Sequence, residues 1–242
     1  MKDRVVLITN VEHFAGPPAA FLLASRGATV ACHDKSFSTE TAREAYSNRN
    51  PGPQAFAEQD PESLVQAVTD TLGKIDVVVS NDSFPAIRAP IDAADIDDLR
   101  SGLEEMVVAP FALAKAAVPQ MKERRSGKIL FITSAVPFHG LPNYSMYVTA
   151  RGATNAMAVS LAKELGPHNV QVNAIAPNYV ENPDYFPEEL RQNEQAMSKI
   201  LKSIPLRRLG KPEEIAALIA FYASDDSDFI TGNVMPFAGG WA

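Results

Sequence analysis

The sequence predicts a doubly wound α/β domain, in which about seven parallel strands form one sheet with helices on both faces. Three observations lead there. Short apolar runs rich in valine and isoleucine recur along the chain without alternating with polar residues. That pattern suits strands covered on both faces. Amphipathic segments of helix length lie between most of these runs, and strand–helix alternation implies a parallel sheet. The 242 residues contain no internal repeat, low-complexity tract or obvious linker, so the whole chain reads as one domain, 1–242.

In chain order, the strands are expected at Val5–Thr9, Ala28–Cys32, Gln54–Ala57, Ile75–Ser80, Lys128–Thr133, Val170–Ala176 and Asn233–Phe237. The helices are expected at Pro17–Arg26, Pro61–Leu72, Asp98–Arg124 (bent near Pro110), Tyr147–Leu165 and Pro212–Ala223. One irregular stretch, Pro177–Pro187, holds three prolines, two asparagines and aromatics beyond a strand. Ligands of open α/β sheets sit beyond the carboxyl ends of the strands, which places this loop at the active site.

Composition narrows the function classes. Hydrophobic residues make up 46% of the chain and charged residues 21%, enough apolar material for one sizeable core. The formal net charge of −7 argues against nucleic acid or an anionic membrane as partner. The one cysteine, Cys32, excludes an internal disulfide and fits a reducing compartment. No apolar run reaches the length of a signal peptide or a membrane helix, and the expected location is cytoplasmic. His13, His33, His139 and His168 lack metal-ligand spacing.

Chemistry is expected after the fifth strand. Ser134 follows K-I-L-F-I-T, and thirteen residues later Tyr147 and Arg151 stand four apart. On a helix that spacing makes the two side chains neighbours on one face. A free tyrosine hydroxyl, with pKa about 10, is only roughly 1% phenolate at pH 8. A permanent arginine cation beside it favours the phenolate. The pair thus forms a candidate general base, with Ser134 a candidate donor to the substrate oxygen.

The whole chain resembles the short-chain dehydrogenase/reductase family. The resemblance rests on Thr9–Gly16 (T-N-V-E-H-F-A-G), Val77–Asp82 (V-V-V-S-N-D), the Ser134–Tyr147 pair, P-L-R-R-L-G-K-P-E-E-I, I-T-G-N-V and A-G-G. It implies a Rossmann-like fold with Ser134 and Tyr147 catalytic. The departures matter as much. That family's phosphate-binding turn reads T-G-x-x-x-G-x-G, whereas here Asn10 and Phe14 replace the first two glycines and only Gly16 remains. Such glycines permit tight turning and close backbone approach to a pyrophosphate. Asn10 can adopt positive φ, but the Phe14 ring fills space the cofactor needs. Asp34 stands where a ribose-binding acid is found in those enzymes. The family's lysine is replaced by Arg151, and no asparagine occurs between Phe84 and Pro142 to serve its proton relay.

A dismantled cofactor site beside a preserved serine and tyrosine is similar to the halohydrin dehalogenases, a cofactor-independent offshoot of the same fold. A-C-H-D-K-S-F (Ala31–Phe37), V-S-N-D (Val79–Asp82), F-I-T-S-A (Phe131–Ala135) and P-N-Y (Pro177–Tyr179) carry this resemblance. It implies conversion of vicinal haloalcohols to epoxides with release of halide, and the reverse opening of epoxides by halide, azide, cyanide or nitrite, with no cofactor and no metal. Ser134, Tyr147 and Arg151 match that family's triad, and Asp82 matches an acid that supports the arginine. The resemblance puts the halide where nicotinamide would bind, cradled by backbone N–H groups around Asn178–Val180 and walled by Phe14, Pro177, Tyr179 and Phe186. Val136, Phe138, Leu141 and Tyr144 are expected to shape the substrate pocket, with Phe84 and Pro85 as a further wall. Related proteins form homotetramers through their two long helices, here the segments 98–124 and 147–165. Two other readings stay open: an NAD(P)-dependent dehydrogenase with an unusual turn, and a non-catalytic Rossmann-like binding protein.

Overall fold

The computed structural model describes residues 1–183 and 185–242; Asp184, within the expected loop Pro177–Pro187, lies outside them. Seven strands form one all-parallel sheet: β1 (Val5–Ile8), β2 (Thr29–His33), β3 (Gln54–Phe56), β4 (Val77–Ser80), β5 (Gly127–Ile132), β6 (Val170–Pro177) and β7 (Val234–Phe237). Their order is β3-β2-β1-β4-β5-β6-β7. Every residue of β1, β4, β5 and β6 is buried, because helices cover both faces, and this is why these runs do not alternate.

The helices are α1 (Gly16–Ser25), α2 (Glu40–Arg49), α3 (Pro61–Leu72), α4 (Ile96–Leu103), α5 (Ala109–Arg124), α6 (Ser145–Leu165), α7 (Glu188–Gln192), α8 (Glu194–Ser203) and α9 (Pro212–Ala223). On one face Leu23 of α1, Tyr46 of α2 and Ile215 and Ile219 of α9 pack against Val6, Ile8, Val77 and Val79. On the other, Leu64 and Val68 of α3, Leu113 and Met121 of α5, and Ala158 and Leu165 of α6 pack against Leu7, Val78, Ile129 and Phe131. Side-chain caps start several helices where the sequence supplies them: Thr39 accepts from the Ala42 N–H, and Asp60 from the Ser63 N–H.

Three expectations need correction. The segment 98–124 is not one bent helix. It begins earlier, at Ile96, and is interrupted by a π-helical turn at Glu104–Val108 that precedes Pro110. Proline lacks the N–H for a regular α turn, and the displaced register is absorbed there; the Thr154 hydroxyl of α6 donates to the Met106 carbonyl. Helix α2 was not foreseen, because its polar sequence E-T-A-R-E-A-Y-S-N-R buries only Tyr46. Helices α7 and α8 follow Pro187 where no element was expected. The other boundaries fall within two residues of expectation.

The strand order reverses between β1 and β4, which opens a crevice beyond their carboxyl ends. The β1 turn and the β4 end meet there and lock together. Asn81 Nδ2 donates to the carbonyls of Asn10 and His13, while Asn10 Nδ2 donates to the Asn81 carbonyl.

Candidate active site

A cavity of about 220 Å³ lies in that crevice, lined mostly by apolar groups. β5 delivers Ser134 two residues past its end, and α6 presents Tyr147 on its first turn and Arg151 on the next. All three line the cavity. Ser134 is buried, and its Oγ accepts from the Val136 N–H at 3.2 Å. The serine hydrogen therefore remains available to a ligand oxygen. Arg151 Nε donates to the Tyr147 hydroxyl at 3.4 Å, and the guanidinium lies 5.5 Å from the Tyr147 ring centroid. Its Nη1 donates to the carbonyls of Asp82, at 3.0 Å, and Ile132, at 3.1 Å. Burial opposes the arginine's charge, yet Tyr147, Tyr185 and Asp82 together outweigh it, and the guanidinium stays cationic.

Asp82 supports Arg151 through its charge and through its main chain. Its main-chain carbonyl, not its carboxylate, receives the Arg151 hydrogen bond. The carboxylate accepts from the Ser80 hydroxyl at 2.6 Å, and burial raises its pKa in spite of that bond and of the nearby arginine.

The turn after β1 is the most informative part of the site. Asn10 has φ +50° and Phe14 φ +46°, so the backbone keeps a left-handed path at both replaced glycines. An aromatic residue there is strained by about 1–2 kcal/mol. A Cβ on Gly16 would lie 2.4 Å from the Val11 carbonyl oxygen. The retained glycine is thus the one that lets α1 pack against the turn, whereas the two that make room for a dinucleotide are gone. The Phe14 ring stands on the cavity wall, edge-on to Tyr185 at 6.2 Å. Asp34 caps its own turn, accepting from the Ser36 N–H and hydroxyl and from the Glu12 N–H. Beside it an Arg49–Glu12 ion pair of 2.8 Å ties α2 to the β1 turn. These residues do not fit a nicotinamide dinucleotide.

Of the remaining expected positions, Pro177, Asn178, Tyr179, Val180 and Phe186 line the cavity, as do Val136, Leu141 and Tyr144. Two groups do not. Phe84 and Pro85 line a small neighbouring crevice against α4, which has Tyr147 in common with the cavity and in which the Phe84 ring approaches Gly102. Phe138 is half exposed and off the wall. It ends the 3₁₀ turn Val136–Phe138, and side chains two positions apart on such a turn point about 120° apart, so Val136 faces in and Phe138 out. The expected N–H cradle is also partly committed. The Asn178 N–H donates to the Phe237 carbonyl and the Tyr179 N–H to Asn178 Oδ1. Tyr179 has φ +56°, a second aromatic residue held in the left-handed region at this cavity. Sequence reasoning missed Asn81, Ser83, Ala86, Asn182 and Tyr185, which also line the wall. The N-D-S run after β4 carried a signal for the first two.

Among the described residues no cluster of three metal-binding side chains occurs, and no helix is long and apolar enough to cross a membrane.

A family model described as enoyl-(acyl carrier protein) reductase matches residues 16–242. A 3-oxoacyl-(acyl-carrier-protein) reductase of Thermotoga maritima is 32% identical over 248 residues, with 99% of this chain and 98% of that protein covered. A solved dehalogenation enzyme is 50% identical with a TM-score of 0.97, covering 100% of this chain and 99% of that one. A halohydrin dehalogenase bound to ethyl (2S)-oxiran-2-ylacetate is 42% identical with a TM-score of 0.94, covering 98% of this chain and 96% of that one.

Proposed function

The chain belongs to the short-chain dehydrogenase/reductase family, in its halohydrin dehalogenase branch, and from that premise we propose that it converts vicinal haloalcohols to epoxides without a nicotinamide cofactor. One observation carries the reading: the Ser134, Tyr147 and Arg151 set opens onto a cavity in which Phe14 occupies a glycine's place in the old cofactor turn.

The steps follow from where the groups stand. Tyr147, whose hydroxyl oxygen accepts from Arg151 Nε, acts as the general base that takes the hydroxyl proton of the haloalcohol. Ser134, whose Oγ already accepts from the Val136 N–H, donates its hydrogen to the same substrate oxygen. The alkoxide attacks the neighbouring carbon, the new C–O bond closes the three-membered ring, and the carbon–halogen bond breaks to release halide. Nucleophile and leaving group share one molecule, so proximity is built into the substrate. Arg151 needs a fixed position, and the Asp82 and Ile132 carbonyls hold it. Phe14, Pro177, Tyr179 and Phe186 supply walls suited to a weakly hydrated anion, with Asn178–Val180 the turn around it. Val136, Leu141 and Tyr144 shape the carbon side of the pocket.

The same residues run backwards: a small anion opens the epoxide, and Tyr147 returns the proton to the alkoxide. The test is epoxide consumption by bromide, azide, cyanide or nitrite in the absence of nucleotide. Failure of all four with a small terminal epoxide would contradict the shared anion site.

The reading extends to assembly and location. A long groove runs between α5 and α6, lined by Phe111, Val118, Ala153, Met157 and Leu161, and Phe111 is half exposed. Small residues such as Ala153 and Ala156 permit close helix approach. A homotetramer built on these helices buries that groove, and sedimentation would show it. The buried Cys32 thiol, which is in no disulfide and accepts from the Tyr46 hydroxyl, suits a reducing cytoplasm.

A further inference from the structure

At the end of β4 the Ser83 hydroxyl accepts a hydrogen bond and keeps its own hydrogen free. Asn10 Nδ2 has two hydrogens and two acceptors, the Asn81 carbonyl at 3.2 Å and Ser83 Oγ at 3.1 Å. Ser83 Oγ is therefore an acceptor in that bond, and its own hydrogen must point elsewhere. No acceptor for it is found among the described residues. Ser83 is half-buried and stands on the wall of the 220 Å³ cavity with Phe14. Its position is fixed from both sides: Asn10 ties it to the β1 turn, and the preceding carbonyl, of Asp82, is held by Arg151. It thus sits where the Phe14 pocket meets the reacting groups.

Two main-chain donors of the pocket are already committed. Of the three N–H groups around Asn178–Val180, that of Asn178 is spent on Phe237 and that of Tyr179 on Asn178 Oδ1. Phe14, Pro177 and Phe186 offer no side-chain hydrogen to an anion. We propose that the Ser83 hydroxyl, turned by its bond from Asn10, donates a hydrogen bond to the anion in the Phe14 pocket. It binds the departing halide in one direction and the incoming nucleophile in the other. This rests on the dehalogenase reading and adds a specificity residue to it. Accepting from an amide strengthens the hydroxyl as a donor. A donated hydrogen bond favours the more strongly accepting anion, so Ser83 biases the pocket toward chloride over iodide.

The experiment titrates the full-length protein with chloride, bromide and iodide, following Trp241 fluorescence; the Trp241 ring is edge-on to cavity-lining Tyr179 at 5.7 Å. Calorimetry gives the same constants if the fluorescence is silent. Ser83→Ala is expected to weaken chloride roughly tenfold, the loss of one hydrogen bond to a charge, and iodide by less than about threefold. Ser83→Thr keeps the hydroxyl and should stay within about twofold for chloride. If Ser83→Ala does not fold, Ser83→Cys, of similar volume and a weak donor, should show the same chloride-over-iodide loss. Unchanged chloride affinity would overturn the proposal, and so would equal losses for all three halides, which would indicate a distorted cavity. A wild-type protein that binds no halide and releases none from haloalcohols would instead overturn the dehalogenase reading, and Ser83's role with it.

Discussion

Replacing Phe14 separates strain from function, because its backbone and its ring act in opposite directions. At φ +46° the residue is strained by about 1–2 kcal/mol, which glycine does not incur. The ring is partly buried, packs against the core around β1 and α1 and meets Tyr185 edge-on. Full burial of a phenylalanine is worth about 1.5–3 kcal/mol, and partial burial correspondingly less. Phe14→Gly should therefore leave unfolding stability within about 1 kcal/mol of wild type. Phe14→Ala loses the same ring without relieving the strain, and should be less stable than the glycine variant by about 1 kcal/mol. Both variants lose the anion's apolar wall, and bromide affinity should fall about tenfold in each. Urea unfolding gives the stabilities, and bromide and NADH titrations give the binding. NADH should bind neither variant, because Asn10 and the Pro177–Pro187 loop still depart from the dinucleotide pattern and Asp34 stays bonded to the Ser36 and Glu12 N–H groups. Glycine no more stable than alanine would refute the strain argument. Micromolar NADH binding to wild type would refute the claim that this turn excludes the cofactor.

Three further substitutions test the other parts. Tyr147→Phe should lower turnover by about 10²- to 10⁴-fold with the fold unchanged by circular dichroism; near wild-type turnover would remove Tyr147 as the base. Arg151→Lys cannot reproduce the fork that reaches Tyr147, the Asp82 carbonyl and the Ile132 carbonyl together. It should retain weak activity with an altered pH–rate profile and lose about 1–3 kcal/mol of stability through unpaired buried carbonyls; an unaltered profile would show that the cation does not act on Tyr147. Gly16→Ala drives a methyl to 2.4 Å from the Val11 carbonyl oxygen and should destabilise the protein by more than about 2 kcal/mol; a thermal midpoint within about 2 °C of wild type would contradict that packing role.

Much of this was legible in the sequence, for reasons that differ from residue to residue. The strands could be read because β1, β4, β5 and β6 are buried on both faces, which forces continuous apolar runs. Tyr147 and Arg151 could be read because helix geometry makes positions four apart neighbours. Helix α2 could not, since its one buried side chain, Tyr46, leaves no periodic stripe. Phe84 and Phe138 looked like pocket walls because they are aromatic and close in sequence to the site. Their direction depends on how one loop turns against α4 and where a 3₁₀ turn ends, and neither leaves a pattern in composition. Asp82 was rightly placed beside Arg151, but a main-chain carbonyl makes the bond, and main-chain atoms carry no sequence signal. Ser83 stands in the N-D-S run after β4, but the direction of its hydroxyl emerges only from the bond that Asn10 donates to it.

The central claim is that this Ser–Tyr–Arg site works without hydride transfer. The most direct measurement is halide release from a small vicinal chlorohydrin or bromohydrin in buffer free of nucleotide, followed with epoxide formation and with added NAD or NADP as a parallel arm. One halide is expected per epoxide formed, at a rate that either nucleotide leaves unchanged. Release that strictly requires NAD or NADP, or appearance of a ketone in place of the epoxide, would contradict it.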